Sequence, residues 1–300
     1  MTHSHSHTPG NYNRAFAIGV ALNVTFVVIE VIYGVIADSL ALVADAGHNL
    51  SDVLSLLLAW GATILATKAS TEKRTYGFRK VTVMASLVSA ILLLIAMGGI
   101  TWEAIGRFSS PQPVAGMVVI IVAAIGVVIN TATALLFISD QKHDLNIRGA
   151  FLHMAADAAV SLGVVVAGIV ILVKGWLWID PVVSLVIVAV ILIGTWGLLR
   201  DSVNSAIDAV PEHIDMPGIK NYLGCLENVC QYHDLHVWPL STTEVALTVH
   251  LVVTDDTLDS DFLTTIQQHL HDNFDIEHST IQVEKQDSET ACMLDRHQCV

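Results

Sequence analysis

Six apolar runs, each long enough to cross a lipid bilayer, constrain this chain more than any other feature. They cover residues 15–36, 39–66, 81–106, 113–139, 147–173 and 177–199. A helix needs roughly 20 residues to cross a hydrocarbon core about 30 Å thick, and every run meets that length. Hydrophobic residues make up 53% of the 300 residues and charged residues only 14%, far from the composition of a soluble domain. The sequence therefore predicts an α-helical membrane protein with six transmembrane helices.

Basic residues between these runs predict the topology. Because the number of runs is even, both ends of the chain lie on one side of the membrane. That side carries a basic stretch at residues 68–80 and, further on, Lys142 and Arg148. The opposite loops hold only Arg107 and Lys174. By the positive-inside rule, we predict a multi-pass protein of the inner (plasma) membrane with cytoplasmic N- and C-termini. The part of this stretch at residues 72–80 either serves topology alone or contacts the acidic tail or a partner.

The last hundred residues differ from the rest in charge. The net charge of the chain is -14, and residues 201–300 contain 18 acidic and 3 basic residues against 10 and 11 in residues 1–200. Such acidity argues against nucleic acid and anionic lipid as partners and suits cations.

Sequence periodicity in this acidic region predicts a small α/β domain after a linker near Pro211. Alternating apolar residues at 232–239 and 244–253 indicate a hairpin. An amphipathic helix at 259–274 precedes another strand at 279–283. With a short helix at about 216–226, the order is αββαβ.

These features divide the chain into four parts. They are an N-terminal tail (1–14), a six-helix membrane domain (15–207), a cytoplasmic domain (208–290) and a C-terminal tail (291–300). The N-terminal tail contains His3, His5 and His7 alternating with Thr and Ser. That composition is typical of a disordered segment that holds metal loosely, with a residual purification tag as the alternative.

Ionisable side chains inside two of the apolar runs are the main functional signal. His48 and Asp52 lie four residues apart in the second run, and His153 and Asp157 repeat that spacing in the fifth. Residues four apart share one face of a helix. A charge at mid-membrane costs about 2.5–3.5 kcal/mol, so pairing or function must offset it.

These pairs have two interpretations, interhelical hydrogen bonds or a metal site. Interhelical hydrogen bonds account for an isolated pair, whereas two matched pairs favour a metal site. If the two helices face each other, two imidazoles and two carboxylates form the tetrahedral set that Zn²⁺ accepts. The two carboxylates also neutralise one divalent cation where an unpaired charge would be most costly.

The same side chains couple metal to protons. Metal binding requires neutral imidazoles and ionised carboxylates, so metal entry releases protons and proton entry favours metal release. The sequence shows no phosphate-binding Gly-rich loop of an ATPase. A secondary antiporter is therefore predicted, and not an enzyme. An intramembrane metalloenzyme would need an open coordination position, and no His-Glu-x-x-His motif is present.

Asp45 lies three residues before His48 on the same helix face. It either supports a ligand as a neighbour, relays protons, or holds its helix to another one. Glu30 and Asn130 are polar at similar depth, and interhelical hydrogen bonds are the preferred interpretation for them.

The chain resembles the cation diffusion facilitator family, in particular its zinc-transporting branch. The resemblance covers residues 15–285 and rests on the six spans, the segment from Ser39 to Asp52, Tyr76-Gly77-Phe78-Arg79-Lys80, His153 with Asp157, and the segment from His233 to Trp238. It implies a homodimeric metal/proton antiporter that works by alternating access. It further implies that His48, Asp52, His153 and Asp157 are the transport ligands and that the cytoplasmic domain is ferredoxin-like.

The resemblance also implies a second metal site in the cytoplasmic domain, near the dimer interface. The corresponding positions are His233, His250 and Glu284, whereas Gln282 stands where some relatives have His. Relatives from eukaryotes carry a Cys pair near the end of the chain, and Cys292 and Cys299 are the speculative counterparts.

The function expected from the sequence is export of Zn²⁺ from the cytoplasm in exchange for protons. Zn²⁺ is the transported substrate and a regulatory ligand, with Cd²⁺ as a companion substrate. The alternatives are export of another divalent metal, such as Co²⁺, Ni²⁺ or Fe²⁺, or a membrane metal sensor or scaffold without transport.

Overall fold

The computed structural model describes residues 12–137, 145–254 and 260–285. Six long helices come first. They are α1 (Tyr12–Ile36), α2 (Leu40–Ala66), α3 (Val81–Ser109), α4 (Gly116–Phe137), α5 (Leu145–Lys174) and α6 (Ile179–Ala206). Helices α2 to α6 are long and apolar enough to cross a membrane. In α1, the part whose side chains the structure describes is a shorter apolar stretch, Val24–Ile36. The predicted α-helical membrane architecture is confirmed.

All six helices contribute to one apolar core. Its members include Phe26 of α1, Leu42 of α2, Met97 of α3, Val119 of α4, Val164 of α5 and Ile187 of α6. Small residues let α4 and α5 approach closely. A methyl group added to Gly168 would lie 3.2 Å from the carbonyl oxygen of Gly116 and 3.3 Å from the nitrogen of Ile120. Helix contacts of this kind are typical of packing in membranes, where close van der Waals contact replaces the hydrophobic effect.

A buried ion network joins the start of α2 to α3 and α6. Asp180 of α6 is fully buried and accepts hydrogen bonds from the nitrogen of Leu40 (2.8 Å) and from Ser39 Oγ (2.5 Å). Arg107 of α3 donates to the carbonyl oxygen and to Oδ1 of Asp38, at 2.6 Å each, and lies 3.8 Å from Asp180 Oδ2. Asp180 thus satisfies the free N–H groups at the N-terminus of another helix.

The remaining elements form the predicted αββαβ domain. They are α7 (Met216–Gly224), β1 (Val229–Pro239), β2 (Val245–Val253), α8 (Ser260–Phe274) and β3 (His278–Lys285). The sheet order is β1-β2-β3, with β1 antiparallel and β3 parallel to β2. Residues such as Leu223, Leu247, Leu251, Ile266 and Leu270 form its buried core. The predicted hairpin, helix and final strand are confirmed.

The chain forms two compact units. One combines residues 1–57 with 89–196, and the other combines residues 58–88 with 197–300. Within the second unit, Arg79 lies 3.3 Å from Glu244 and Lys80 lies 2.5 Å from Asp208. Two cations of the basic stretch therefore contact carboxylates of the acidic region, which is the second of the two interpretations left open by the sequence.

Candidate metal centres

The first candidate centre lies between α2 and α5. Asp52 Oδ2 of α2 is 3.0 Å from His153 Nε2 of α5, and His48 Nε2 is 3.4 Å from Asp157 Oδ1. As residue numbers rise along α2 they fall along α5, so the two helices are antiparallel at this level. The period of the α-helix explains why both members of each pair reach the same point, since residues four apart lie one above the other.

The four side chains form one cluster. One ligand atom from each of His48, His153 and Asp157 lies within 4.8 Å of the other two. Asp52 lies beside this group of three, with Oδ2 3.8 Å from His48 Nε2 and 3.0 Å from His153 Nε2. The two imidazole rings meet edge to face with centroids 5.8 Å apart. Two nitrogen and two carboxylate donors thus converge, which is a donor set suited to a divalent transition metal.

The four side chains of this cluster differ in how much of each is exposed. The side chains of His153 and Asp52 are 44% and 36% exposed, His48 is 20% exposed and Asp157 only 2%. Asp52 and His153 are the members nearer to the loops that follow α2 and precede α5. Side-chain exposure therefore rises toward the end of α2 and the beginning of α5.

One buried oxygen of the cluster fits a cation. Asp157 Oδ2 has no hydrogen-bond partner within the part of the chain that the structure describes, and His153 Nε2 lies 3.6 Å from it. A buried carboxylate oxygen without a donor is costly unless a cation or proton occupies it. The residues present therefore fit a bound metal ion.

A second layer of polar groups lies beyond the cluster, farther from the exposed side. Asp45 is fully buried and accepts a hydrogen bond of 2.8 Å from Ser161 Oγ, which links α2 to α5. Glu30 of α1 is also fully buried and accepts a bond of 3.3 Å from Asn49 Nδ2. Glu30 thus forms the interhelical hydrogen bond that its position suggested. Asn130 is buried, and neither of its side-chain polar atoms has a partner among the described residues.

The second candidate centre lies on the sheet of the C-terminal domain. His233 and His250 are directly paired across β1 and β2, and their ring centroids are 4.9 Å apart. Glu284 of β3 reaches both, with Oε2 3.3 Å from His233 Nε2 and Oε1 2.8 Å from His250 Nδ1. The three residues inferred from the family resemblance are therefore brought together.

Sequence reasoning missed Asp234, which belongs to this second cluster. Its Oδ2 is 3.6 Å from His250 Nε2 and its Oδ1 is 2.9 Å from His236 Nε2. A regular strand would turn residues 233 and 234 to opposite faces. The pairing of β1 with β2 is irregular between His233 and His236, and Asp234 has a φ of 51°. The alternation of apolar and polar residues along the strand contains no signal for that irregularity.

Other predicted site residues lie outside the described residues. These are Cys292 and Cys299 and the N-terminal His3, His5 and His7. The remaining cysteines, Cys225 and Cys230, are exposed on the C-terminal domain.

Two family models match the chain. The first is described as the cation efflux transmembrane domain and matches residues 16–205. The second is described as the cation efflux protein cytoplasmic domain and matches residues 211–286. Together they span both candidate centres.

Characterised bacterial proteins are similar over most of the chain. The metal cation efflux system protein CzcD of Cupriavidus metallidurans is 36% identical over 285 residues, covering 94% of this chain and 89% of that protein. The zinc transporter ZitB of Escherichia coli is 36% identical over 294 residues, with 95% and 93% covered. A cadmium, cobalt and zinc/H(+)-K(+) antiporter of Bacillus velezensis is 33% identical over 288 residues, with 95% and 92% covered.

Proposed function

This chain belongs to the cation efflux (cation diffusion facilitator) family, and on that premise we propose that it exports Zn²⁺ from the cytoplasm in exchange for protons. The family consists of multi-pass membrane transporters of metal cations, and not of enzymes. The observation that carries the proposal is the convergence of two His-x-x-x-Asp pairs from α2 and α5.

We assign His48, Asp52, His153 and Asp157 as the ligands of the transported ion. Each imidazole contributes one nitrogen and each carboxylate one oxygen, and the two carboxylates balance the charge of a divalent cation. The helices position the donors without loops, so the site is held by rigid elements. Relatives named for zinc, and for cadmium, cobalt and zinc, support Zn²⁺ with Cd²⁺ and Co²⁺ as further candidates.

Contacts between the proposed ligands support proton exchange. His153 faces both Asp52 (3.0 Å) and Asp157 (3.6 Å), so a protonated imidazole is held by carboxylates that a metal ion also needs. Metal binding requires that proton to leave, and protonation weakens the hold on the metal. Metal and proton thus occupy the site in turn.

The burial gradient supports access from one side in this conformation. The exposed members, Asp52 and His153, lie on the side of the cluster toward the end of α2 and the beginning of α5. Under the positive-inside rule these helix ends are cytoplasmic, and so are both termini. The fully buried Asp45 lies on the other side of the cluster. Export then requires a rearrangement that opens that other side, which is alternating access.

In the C-terminal domain, His233, His250 and Glu284 would hold a regulatory metal ion. One ligand atom from each of the three residues lies within 4.8 Å of the other two, which supports this assignment. A cation there would tie all three strands of the sheet together. We assign the cytoplasmic domain a role in homodimer formation as well, in line with its family model.

Zinc flux into proteoliposomes with an imposed pH gradient tests this function. We expect saturable Zn²⁺ uptake by the wild-type chain and its loss in Asp52→Ala and in Asp157→Ala. Glu103→Gln removes an exposed carboxylate of α3 and serves as the control that keeps transport. Undiminished flux in either ligand variant would refute the assignment, and a panel with Cd²⁺, Co²⁺, Ni²⁺ and Fe²⁺ would rank the substrates.

A further inference from the structure

We propose that Asp234 is a positioning residue of the cytoplasmic metal centre, holding the His250 ring so that Nδ1 faces His233 and Glu284. The inference rests on the cytoplasmic centre assigned under the proposed function. Asp234 lies outside the three proposed ligands, on strand β1.

The backbone of β1 is shaped to bring Asp234 to the ligand face. Register between β1 and β2 is regular from Gln231 to the pair His233 and His250 and resumes at His236 and Thr248. Between these pairs β1 has one residue more than β2, which is the arrangement of a β-bulge. Asp234 lies inside the bulge with a φ of 51°, a left-handed conformation that Asp, Asn and Gly tolerate better than other residues.

His250 lies between two carboxylates that face different ring nitrogens. Nδ1 is 2.8 Å from Glu284 Oε1, and Nε2 is 3.6 Å from Asp234 Oδ2. Metal-binding imidazoles commonly present one nitrogen to the metal while a carboxylate accepts from the other nitrogen, which fixes the ring orientation and raises ligand basicity. Asp234 is placed to do so for His250. A shift of about 0.6 Å would bring its Oδ2 within hydrogen-bonding distance of Nε2.

Asp234 is itself held in place from the other side. His236 Nε2 lies 2.9 Å from Asp234 Oδ1, and the Asp234 side chain is 27% exposed whereas that of His236 is 64% exposed. The chain of contacts therefore runs from the surface through His236 and Asp234 to the buried His250 and Glu284. His236 therefore supports the Asp234 carboxylate in this arrangement. Because the His236 ring is exposed, the alternation of apolar and polar residues along the strand does not distinguish it from other exposed residues.

Substitution of Asp234 in the full-length chain tests the inference. The background is Asp52→Ala with Asp157→Ala, which removes the transport site, and Zn²⁺ affinity is measured by competition with a chromophoric chelator. We expect Asp234→Gly to weaken Zn²⁺ binding about 10- to 100-fold, the usual effect of losing a carboxylate behind a metal-binding His. Asp234→Asn should lose less Zn²⁺ affinity, because its amide oxygen can still accept a hydrogen bond from His250 Nε2.

The ranking of the variants distinguishes positioning from a purely structural role. Asn and Gly both tolerate the left-handed backbone, so a residue needed only for the bulge predicts wild-type affinity in both variants. Asp272→Asn is the matched control, since Asp272 forms an exposed contact of the same 2.9 Å with His271 on α8. Melting temperatures of the metal-free variants should match that of the background protein.

Two results would overturn the inference. Wild-type affinity in Asp234→Gly, together with a loss in His250→Ala, would leave the proposed cytoplasmic centre intact and remove Asp234 from it. A second equivalent of Zn²⁺ that depends on both Asp234 and His236 would make Asp234 a ligand instead. If His250→Ala has no effect on binding, the cytoplasmic centre itself fails, and the inference with it, while the transport assignment stands on its own flux measurement.

Discussion

Asp52 and His153 lie 3.0 Å apart, Oδ2 to Nε2, although 101 residues separate them in the sequence. The contact joins α2 to α5, and the same carboxylate oxygen is 3.8 Å from His48 Nε2. In the absence of metal, imidazole and carboxylate satisfy each other. Under the proposed function a metal ion replaces that contact, so we expect the strength of metal binding to depend on how many protons the pair holds.

Loss of the buried carboxylate should weaken the transport site more than any other conservative change. We expect Asp157→Asn to lower Zn²⁺ affinity by more than about 100-fold, because even residues that only support a ligand contribute 10- to 100-fold. Binding to the purified chain, with His250→Ala added to silence the cytoplasmic centre, measures the effect. Glu103→Gln is the control, and an affinity within twofold of wild type in Asp157→Asn would contradict the assignment.

Close packing of α4 and α5 predicts a difference between two glycines of one helix. Gly168→Ala should destabilise the protein by about 1–3 kcal/mol, because the added methyl group has backbone atoms of α4 3.2–3.3 Å away and Ile120 Cγ1 at 2.8 Å. Gly163→Ala, also on α5, meets nothing within 4 Å and should be neutral or slightly stabilising. Thermal unfolding in detergent compares the two, and equal melting temperatures would argue against the tight α4–α5 contact.

The network around Asp180 predicts a large loss of stability on substitution. Asp180→Ala should cost about 3–5 kcal/mol, because it leaves Arg107 with a buried charge less well compensated and removes acceptors for the first N–H groups of α2. Arg200→Ala is a suitable control, since Arg200 pairs with Glu212 at an exposed site where ion pairs contribute about 0–1 kcal/mol. Similar unfolding midpoints for the two variants would show that the network contributes little.

An exposed histidine of α8 provides a pH-dependent prediction. The hydrogen bond to Asp272 and the nearby Glu277 carboxylate raise the pKa of His271 above its ordinary value. The imidazolium is favoured in the folded state, so the stabilisation is fully present below the unfolded pKa and is lost as pH rises through the folded pKa. NMR titration of labelled histidines should show that Asp272→Asn lowers this pKa, and an unchanged titration curve would contradict the assigned contact.

Much of the fold could be predicted because its signals are local. Apolar runs set the positions of α1 to α6, and strand alternation set the hairpin of β1 and β2. The contacts among the four proposed ligands were also predictable, since the same spacing of His48 with Asp52 recurs in His153 with Asp157, and a shared spacing on two helices permits such contacts.

Contacts between distant segments had no such signal. Asp180 lies at the start of α6 but accepts hydrogen bonds from the N-terminus of α2, 140 residues earlier. Asp234 reaches His250 only because a bulge reverses the side on which a regular strand would place it. Both depend on three-dimensional packing, and neither changes the periodicity of the sequence around it.

Simultaneous recording of Zn²⁺ and pH inside proteoliposomes tests the antiport account most directly. With Zn²⁺ added outside and no ion gradient imposed beforehand, we predict that Zn²⁺ entry through the wild-type chain is accompanied by proton exit, so the lumen becomes alkaline as zinc accumulates. Both signals should disappear together in Asp157→Ala. Zinc accumulation without any change in luminal pH would contradict the account.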